Sequence, residues 1–231
     1  MNLQGTKVFI KHLIGRDLKI RPQLNIPLEH YGTDYGGWSV PAGTVGADSV
    51  VYSFGIGEDA SWDLGLIAAK GCTVHGFDPT PKSLAWAKDH ITESKMIIHP
   101  LALSHENGSI DLWLPANPDH VSASCRPSKN HSEVKLSVDA KTVTAIMEEF
   151  GHDHVDVLKM DIEGAEYPVI AGMIGDGSIN RIGVLLIEFH HWMPAFSLQD
   201  TKEALKKLEG SGFVPAWVSP SGHEVLFARK K

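Results

Sequence analysis

Short apolar stretches recur along the chain from residue 49 onwards, separated by polar or glycine-containing segments. The clearest stretches cover residues 49–54, 73–77, 96–103, 155–160 and 182–189. Continuous apolar runs of this kind are typical of strands that are buried on both faces of a parallel sheet. The pattern therefore predicts a core of buried strands at these positions.

Between these strands, apolar residues return at the spacing of one helix face. This spacing predicts helices over residues 61–70, 82–91, 142–150 and 197–209, and a further helix whose first turn contains Pro168. Strands that alternate with helices in this way favour one α/β domain with a mainly parallel sheet.

Two short connections predict antiparallel pairs. The segments 213–218 and 224–228 are joined by a turn that is too short for a parallel crossover, so they must be antiparallel neighbours. Glu-Asn-Gly-Ser at 106–109 is a hairpin signal, and it precedes apolar residues at strand period in 110–114. A loop is predicted next, before strand-like alternation resumes at 133–138.

The first part of the chain is less regular. Residues 7–14 are apolar but fit a helix or a strand equally well, and residues 31–41 form a segment dense in glycine and aromatic residues. That segment is either a structural loop over the sheet edge or a lid over an active site. We therefore divide the chain into an extension and possible lid, 1–48, and a domain, 49–231. The aromatic residues of the possible lid are Tyr31, Tyr35 and Trp38.

Composition narrows the class of protein. The chain has 231 residues, of which 42% are hydrophobic, and its 21 basic and 28 acidic residues give a net charge of −7. This charge is unfavourable for binding nucleic acid or an anionic membrane. No apolar run approaches the ~18 residues of a membrane span, the start lacks the apolar core of a signal peptide, and Cys72 and Cys125 form no CxxC motif. We expect a cytoplasmic protein with reduced thiols and no nucleic-acid partner.

A glycine turn follows the strand at 49–54. Gly55 and Gly57 allow a ligand to approach the backbone, and the N–H groups that open the next helix are free to meet it. Asp78 ends the next strand, 21 residues after Gly57, which is the usual spacing for an acid that binds a ribose. This combination predicts a nucleoside-type cofactor.

Polar clusters follow four of the predicted strands, at residues 55–59, Asp78, 161–163 and 188–191. Each could serve only as a helix cap or a solvated group. However, ligands of open parallel sheets bind beyond the carboxyl ends of the strands, where all four clusters fall. One shared site explains them better than four separate structural roles.

The acids of these clusters distinguish two cofactors. Gly55-x-Gly57-x-x-Ala60 also fits a dinucleotide fingerprint, so an NAD-dependent oxidoreductase is an alternative. Glu58, Asp59 and Asp161 would repel the pyrophosphate of NAD, whereas they suit the sulfonium and ammonium of S-adenosylmethionine. The sequence favours S-adenosylmethionine.

The motif Leu-Lys-Met-Asp-Ile-Glu-Gly-Ala-Glu at 158–166 resembles a signature of the FkbM-type S-adenosylmethionine-dependent methyltransferases, and similarity to that family extends over residues 49–190. The resemblance implies a Rossmann-like class I methyltransferase fold, with helices on both faces of a seven-stranded sheet of order 3-2-1-4-5-7-6 and strand 7 antiparallel. Two positions depart from the family. Ser53 replaces the usual first acid of the glycine turn, and Asp78 stands where many members have Glu.

The expected activity is methylation of a hydroxyl group on a sugar, glycan or natural product, and a catalytically inactive cofactor binder is a further alternative. His190 is the first candidate for the base, because imidazole titrates near neutral pH, and Asp161 is the second. A metal held by Asp161, Glu188 and His190 is conceivable, but we expect none. The expected cofactor-binding residues are Gly55, Gly57, Glu58, Asp59, Asp78, Ala102, Leu103, Ser104 and Asp161. The expected acceptor-binding residues are Tyr31, Tyr35, Trp38, Glu163, Glu188 and His190.

Overall fold

The computed structural model describes residues 17–117, 123–127 and 131–230, with the backbone alone at His131. The ambiguous segment 7–14 lies outside the described residues. The strands are β1 Leu28–Tyr31, β2 Trp38–Pro41, β3 Val50–Phe54, β4 Thr73–Phe77, β5 Met96–His99, β6 Ala102–Leu103, β7 Gly108–Pro115, β8 His131–Lys141, β9 Val155–Met160, β10 Ile182–Glu188, β11 Phe213–Val218 and β12 Glu224–Arg229. The α-helices are α1 Ser61–Lys70, α2 Pro81–His90, α3 Val143–Phe150, α4 Glu166–Asp176 and α5 Leu198–Gly210, and a 3₁₀ helix covers Ser178–Arg181.

Seven strands form the main sheet in the order β5-β4-β3-β9-β10-β12-β11. Strand β12 runs antiparallel to both of its neighbours, β10 and β11, and the other neighbouring pairs are parallel. Numbered in chain order within this sheet, the strands follow 3-2-1-4-5-7-6, which is the order that the resemblance implies. The terminal antiparallel pair is the one that the short turn predicts.

Alternate residues of the central strands enter two separate cores. On β3, Tyr52 and Phe54 pack with residues of α3, α4 and α5, while Val51 packs on the opposite face with Leu66 and Ile67 of α1. Because both faces are covered by helices, the strands are apolar throughout, as their sequence pattern predicts. The fold is therefore an α/β fold with a helix-covered sheet.

Two predictions about the edge of the sheet are wrong. The predicted strand 96–103 is interrupted at Pro100, which has no N–H to donate, so β5 ends at His99 and β6 is a separate strand. Residues 106–109 do not join a hairpin. Strands β6 and β7 both pair with β8, parallel and antiparallel respectively, in a small sheet of order β6-β8-β7. The Asn107 side chain instead accepts a hydrogen bond from the Thr142 N–H, at 2.9 Å.

The segment 31–41 is more ordered than a loop. Strands β1 and β2 form an antiparallel hairpin in which Tyr31 lies opposite Trp38, so only residues 32–37 form the connecting loop. Across the ranges that the structure describes, no helix has both the length and the apolar sequence that a membrane crossing requires.

A cluster of histidines lies beside the core at Tyr52 and predicts how stability depends on pH. The Tyr52 hydroxyl is 2.7 Å from His152 Nδ1, and His75 Nδ1 is 3.1 Å from His99 Nε2. Burial, together with the neighbouring imidazoles, lowers the pKa of His75 to about 4, and burial also lowers the pKa of His99 and of His152. Below about pH 6.5 the unfolded chain therefore binds protons that the folded chain does not.

We expect the free energy of unfolding to fall as the pH decreases from about 6.5 towards 4. Urea denaturation at several pH values measures this slope. Replacement of His75 by Gln should make the slope shallower, whereas replacement of the exposed His90 should leave it unchanged. Equal slopes in the wild type and in His75→Gln would contradict the prediction.

Candidate functional site

A cavity of about 610 Å³ opens at the carboxyl ends of β3, β4, β9 and β10. Its size falls within the range of small-molecule sites, roughly 300–1,000 Å³. Most of the residues expected from sequence share this cavity, although they come from distant parts of the chain. Those that line it are Tyr35, Trp38, Gly55, Gly57, Glu58, Asp59, Asp78, Ala102, Leu103, Asp161, Glu163 and Glu188.

The glycine turn is shaped by contact with the loop after β9. Gly55 has φ +83°, and a Cβ atom there would lie only 1.8 Å from the carbonyl oxygen of Asp161. The Asp161 N–H donates to the carbonyl of Phe54 at 3.1 Å. Only glycine fits this position, and the close approach places Asp161 directly beside the turn.

Asp78 binds the same turn from the other side. Its Oδ2 accepts a hydrogen bond from the Gly57 N–H at 3.0 Å, and its Oδ1 accepts from the Thr80 N–H and hydroxyl at 2.9 and 2.6 Å. A carboxylate offers about four acceptor positions, so one remains for a ligand hydroxyl. Sequence reasoning missed Thr80, although its position two residues after Asp78 is typical of such a local turn.

One wall of the cavity is apolar and comes largely from the small sheet. Ile110 and Leu112 of β7 line it together with Leu101, Ala102 and Leu103. This surface suits a flat aromatic ring such as adenine. The sequence predicted strand periodicity at β7 but gave no indication that the strand reaches the cavity.

Ser104 does not line the cavity, contrary to expectation. Its N–H donates to the carbonyl of Lys141 at 3.0 Å, and the residue borders a separate shallow depression beside α4. Strand pairing with β8 therefore places Ser104 away from the apolar wall.

The opposite end of the cavity is acidic. Asp161, Glu163, Glu188 and Glu224 all line it, and Glu224 lies opposite Glu188 in the pairing of β12 with β10. Burial, with the neighbouring carboxylates, raises the pKa of Glu188 well above its usual value, although His190 opposes the shift. Glu188 therefore holds its proton to a higher pH than an exposed glutamate does.

His190 lies behind this acidic surface and is 1% exposed. Its Nε2 is 3.6 Å from Asp161, 3.5 Å from Glu163 and 3.9 Å from Glu188. Burial disfavours the charged imidazole, but the carboxylates, above all Glu166, outweigh burial and raise the pKa of His190 well above 6.5.

These observations do not support His190 as the general base or as an acceptor-binding residue. A base must reach the acceptor and be able to take up a proton, whereas this imidazole does not line the cavity, and the carboxylates around it raise its pKa. Asp161, the second candidate from sequence, lines the cavity and keeps 32% of its side chain exposed.

Glu166 fixes the position of His190, and sequence reasoning assigned it no role. The Glu166 carboxylate is fully buried; Oε1 accepts from the His190 backbone N–H at 2.9 Å and lies 3.2 Å from His190 Nδ1, and Oε2 accepts from the Gly164 N–H at 2.9 Å. One side chain thus joins the loops after β9 and β10. The only sequence signal was its place at the end of the family signature.

The loop after β9 is strained at Glu163. Its φ of +51° is left-handed, which is uncommon for a non-glycine residue. The buried Ser124 hydroxyl donates to the Glu163 carbonyl at 2.7 Å and stabilises this conformation. Such strain is concentrated at functional sites, and here it directs Glu163 towards His190.

The connecting loop 32–37 is attached to the glycine turn. Asp59 Oδ2 accepts a hydrogen bond from the Thr33 hydroxyl at 3.3 Å, which makes this attachment, and its Oδ1 accepts from the Ser61 N–H at 2.7 Å at the start of α1. Tyr35 projects into solvent at the rim and is 91% exposed. Trp38 is buried in the cavity wall, with the Lys159 Nζ 5.9 Å from its ring centroid.

Tyr31 does not face the cavity. It packs against the core beside α1, and its hydroxyl donates to Glu29 at 3.2 Å. The acceptor-binding role expected for Tyr31 is therefore not supported, whereas Tyr35 and Trp38 lie where a lid would contact an acceptor. Lys159 was missed by sequence reasoning; it is buried, and its Nζ donates to the Gly55 carbonyl at 3.3 Å.

Comparison with known proteins gives a consistent result. Residues 45–215 match the model of the methyltransferase FkbM domain. The chain is 33% identical over 172 residues to probable methyltransferase-like protein 24 of Homo sapiens, which covers 71% of this chain and 40% of that protein. It is also 32% identical over 111 residues to the 2-O-methyltransferase NoeI of Sinorhizobium fredii, covering 42% of this chain and 45% of that protein.

The chain therefore spans less than half the length of these curated relatives. Among solved structures, fibrillarin of Aeropyrum pernix, in complex with S-adenosyl-L-methionine, aligns with a TM-score of 0.43 and 11% identity. The alignment covers 82% of this chain and 69% of that chain. The overlap between the two structures is partial.

Proposed function

Because the chain belongs to the FkbM methyltransferase family, we propose that it transfers a methyl group from S-adenosylmethionine to a hydroxyl group of a small-molecule or glycan acceptor. The family accounts for the methyl donor, and similarity to the 2-O-methyltransferase NoeI supports a hydroxyl group as the acceptor. A cytoplasmic location and the absence of a nucleic-acid partner stay predictions from composition.

The described residues fit S-adenosylmethionine. Gly55 and Gly57 line the cavity without side chains, so a ligand can lie against the backbone of the turn, and Asp78 retains an acceptor position for a ribose hydroxyl. The apolar wall at Ala102 and Leu103 suits adenine. The acids at the other end, including Asp161, suit the positive charges of the sulfonium and ammonium.

The bound cofactor supplies an electrophilic methyl group. The protein must orient the acceptor hydroxyl, exclude water and accept the hydroxyl proton. Asp161 is the proposed proton acceptor, because its carboxylate lines the cavity beside the glycine turn. The buried imidazole of His190 lies behind that carboxylate, with Nε2 3.6 Å from it.

One observation carries this proposal: the carbonyl of Asp161 lies against Gly55, so the cofactor turn and the acidic surface belong to one cavity. A nucleoside at the turn would therefore present its charged end to the carboxylates. The glycine turn alone would permit NAD, but the cavity surrounds it with acids.

Calorimetry with S-adenosylhomocysteine and with NAD tests the cofactor, and transfer of labelled methyl groups to sugars and natural-product hydroxyls tests the acceptor. We expect S-adenosylhomocysteine to bind and NAD not to bind. If NAD alone binds, the chain is an oxidoreductase. If S-adenosylhomocysteine binds but no hydroxyl acceptor is methylated, the chain is a cofactor binder and the proposed activity is wrong.

The exposed ring of Tyr35 is the proposed contact between the lid and the acceptor. Replacement of Tyr35 by Ala should raise the acceptor KM about 2- to 13-fold, because an aromatic contact contributes about 0.5–1.5 kcal/mol. The Kd for S-adenosylhomocysteine should not change. Tyr31→Phe is the matched control, since Tyr31 lies on the same hairpin but away from the cavity. An equal loss of acceptor and cofactor affinity in Tyr35→Ala would contradict the lid role.

A further inference from the structure

Three carboxylates surround His190 Nε2 at distances that are too long for strong hydrogen bonds. The oxygens of Glu163, Asp161 and Glu188 lie 3.5, 3.6 and 3.9 Å from this nitrogen. Strong hydrogen bonds to a charged group are about 2.7–2.9 Å long, so these contacts are too long. Ligand atoms that are each about 2 Å from one common ion lie roughly 3 to 4 Å apart. The distances from Nε2 to the three oxygens match those between ligand atoms of one coordination sphere.

The other ring nitrogen of His190, Nδ1, faces a carboxylate, as the second nitrogen of a metal-binding histidine commonly does. Glu166 lies 3.2 Å from His190 Nδ1 and also accepts the His190 backbone N–H, and both side chains are buried. A carboxylate that binds one ring nitrogen fixes the ring orientation and makes the other nitrogen a better ligand. The buried Nε2 of His190 is thereby aimed at the three carboxylates, so the site is more than a cluster of acids.

We propose that Asp161, Glu163 and His190, with Glu188 beside them, bind a divalent transition-metal ion at the acidic end of the cavity. Facing atoms of the first three residues all lie within 4.8 Å of one another. Carboxylates together with an imidazole favour ions such as Mn²⁺, Fe²⁺ or Zn²⁺ over Ca²⁺. The sequence led us to expect no metal, because it did not show that His190 is aimed at the carboxylates.

The ion gives the acidic surface a chemical role. A hydroxyl bound to a divalent ion loses its proton more readily, so the ion would lower the pKa of the acceptor hydroxyl, and the Asp161 oxygen that does not face His190 would take up the proton. This consequence rests on the proposed methyl transfer, whereas metal binding itself does not.

A second group of possible ligands provides an internal comparison. His191 Nε2 is 2.7 Å and His223 Nε2 is 3.2 Å from the two oxygens of Asp17, and Thr201 Oγ1 is 3.0 Å from His191 Nδ1. These are hydrogen-bond distances, so the two imidazoles and the carboxylate satisfy one another without an ion. We therefore place the metal at His190 and not at His223.

The test is a titration of the EDTA-treated protein with Mn²⁺, in which electron paramagnetic resonance measures the free ion. We expect one Mn²⁺ to bind to each wild-type chain. Glu163→Gln retains the shape of the side chain but removes its charge. It should weaken Mn²⁺ binding at least about 10-fold, because even the loss of a residue that only orients a ligand has an effect of that size. Asp161→Asn is the second ligand variant if Glu163→Gln does not fold.

Two variants are matched controls. Glu224→Gln removes one negative charge from the same cavity wall, and His223→Asn disrupts the other cluster; both should bind Mn²⁺ as the wild type does. Absence of binding in the wild type would overturn the proposal. Equal weakening in Glu163→Gln and Glu224→Gln would indicate diffuse attraction by acids, and loss of binding in His223→Asn alone would place the ion elsewhere. Because neither cofactor nor acceptor is present, the result is independent of the proposed methyl transfer.

Discussion

Replacement of Gly55 by Ala is expected to weaken cofactor binding by about 100-fold. The new Cβ would lie 1.8 Å from the Asp161 carbonyl oxygen and 2.8 Å from its carbon, both of which are backbone atoms. Backbone atoms cannot rotate away, so the glycine turn and the loop after β9 must separate. A separation that costs about 3 kcal/mol of binding free energy corresponds to roughly 100-fold weaker binding. Calorimetry with S-adenosylhomocysteine measures the change.

Gly43→Ala is the control that shows how much of the effect comes from backbone strain and not from the clash. Gly43 has a similar φ, +76°, but its Cβ would meet no atom within 4 Å. We expect this control to lose about 1 kcal/mol of stability from the left-handed conformation and to keep its cofactor affinity. If Gly55→Ala binds S-adenosylhomocysteine as tightly as Gly43→Ala does, the turn is not the cofactor cradle.

Asp78→Asn should weaken cofactor binding by about 100-fold. The carboxylate accepts from the Gly57 N–H with one oxygen and from Thr80 with the other, whereas Asn has one acceptor oxygen. Either the turn or Thr80 must then face an NH₂ group, and an unsatisfied buried donor costs about 1–3 kcal/mol. The ribose would also lose a hydrogen bond to a charged group, which contributes about 1.5–3 kcal/mol.

Thr80→Val is the matched control for Asp78→Asn. It removes one hydroxyl that donates to Asp78 but leaves the carboxylate and its bond to Gly57 intact. Its effect on the Kd of S-adenosylhomocysteine should be about tenfold or less. If Thr80→Val weakens binding as much as Asp78→Asn does, Asp78 only shapes the turn and does not bind the ribose.

The main sheet was predictable because its strands are continuously apolar and alternate with helices. The small sheet was not, because β6 pairs with residues 140 and 141, far along the chain, and a two-residue strand leaves no periodic signal. The sequence at 106–109 favours a hairpin locally, but β8 supplies the partner for both flanking strands. Long-range pairing therefore overrode local turn preference.

For the site, the sequence showed which polar residues follow the ends of strands. It did not show which of those residues are buried. Asp78 and Asp161 follow core strands, and both line the cavity as topology requires. His190 also follows a strand, but its role depends on Glu166, which lies on a different element and raises the pKa of the imidazole. No local pattern in the sequence specifies that contact.

Tyr31 and Trp38 show a further limit of prediction from the sequence. They lie opposite each other on β1 and β2, yet only Trp38 lines the cavity. A sequence read as one aromatic loop cannot show which rings face a ligand, because that depends on how the hairpin packs against α1. The pairing register, more than composition, decides which of these aromatic residues line the cavity.

The position of β12 has a consequence for synthesis on the ribosome. This strand is made after the other six of the main sheet, yet it lies between β10 and β11. While the chain emerges, one edge of β10 stays open, and Glu224 has not yet been placed opposite Glu188. The nascent chain therefore cannot complete the acidic end of the cavity until Glu224–Arg229 has been made and β12 has inserted beside β10.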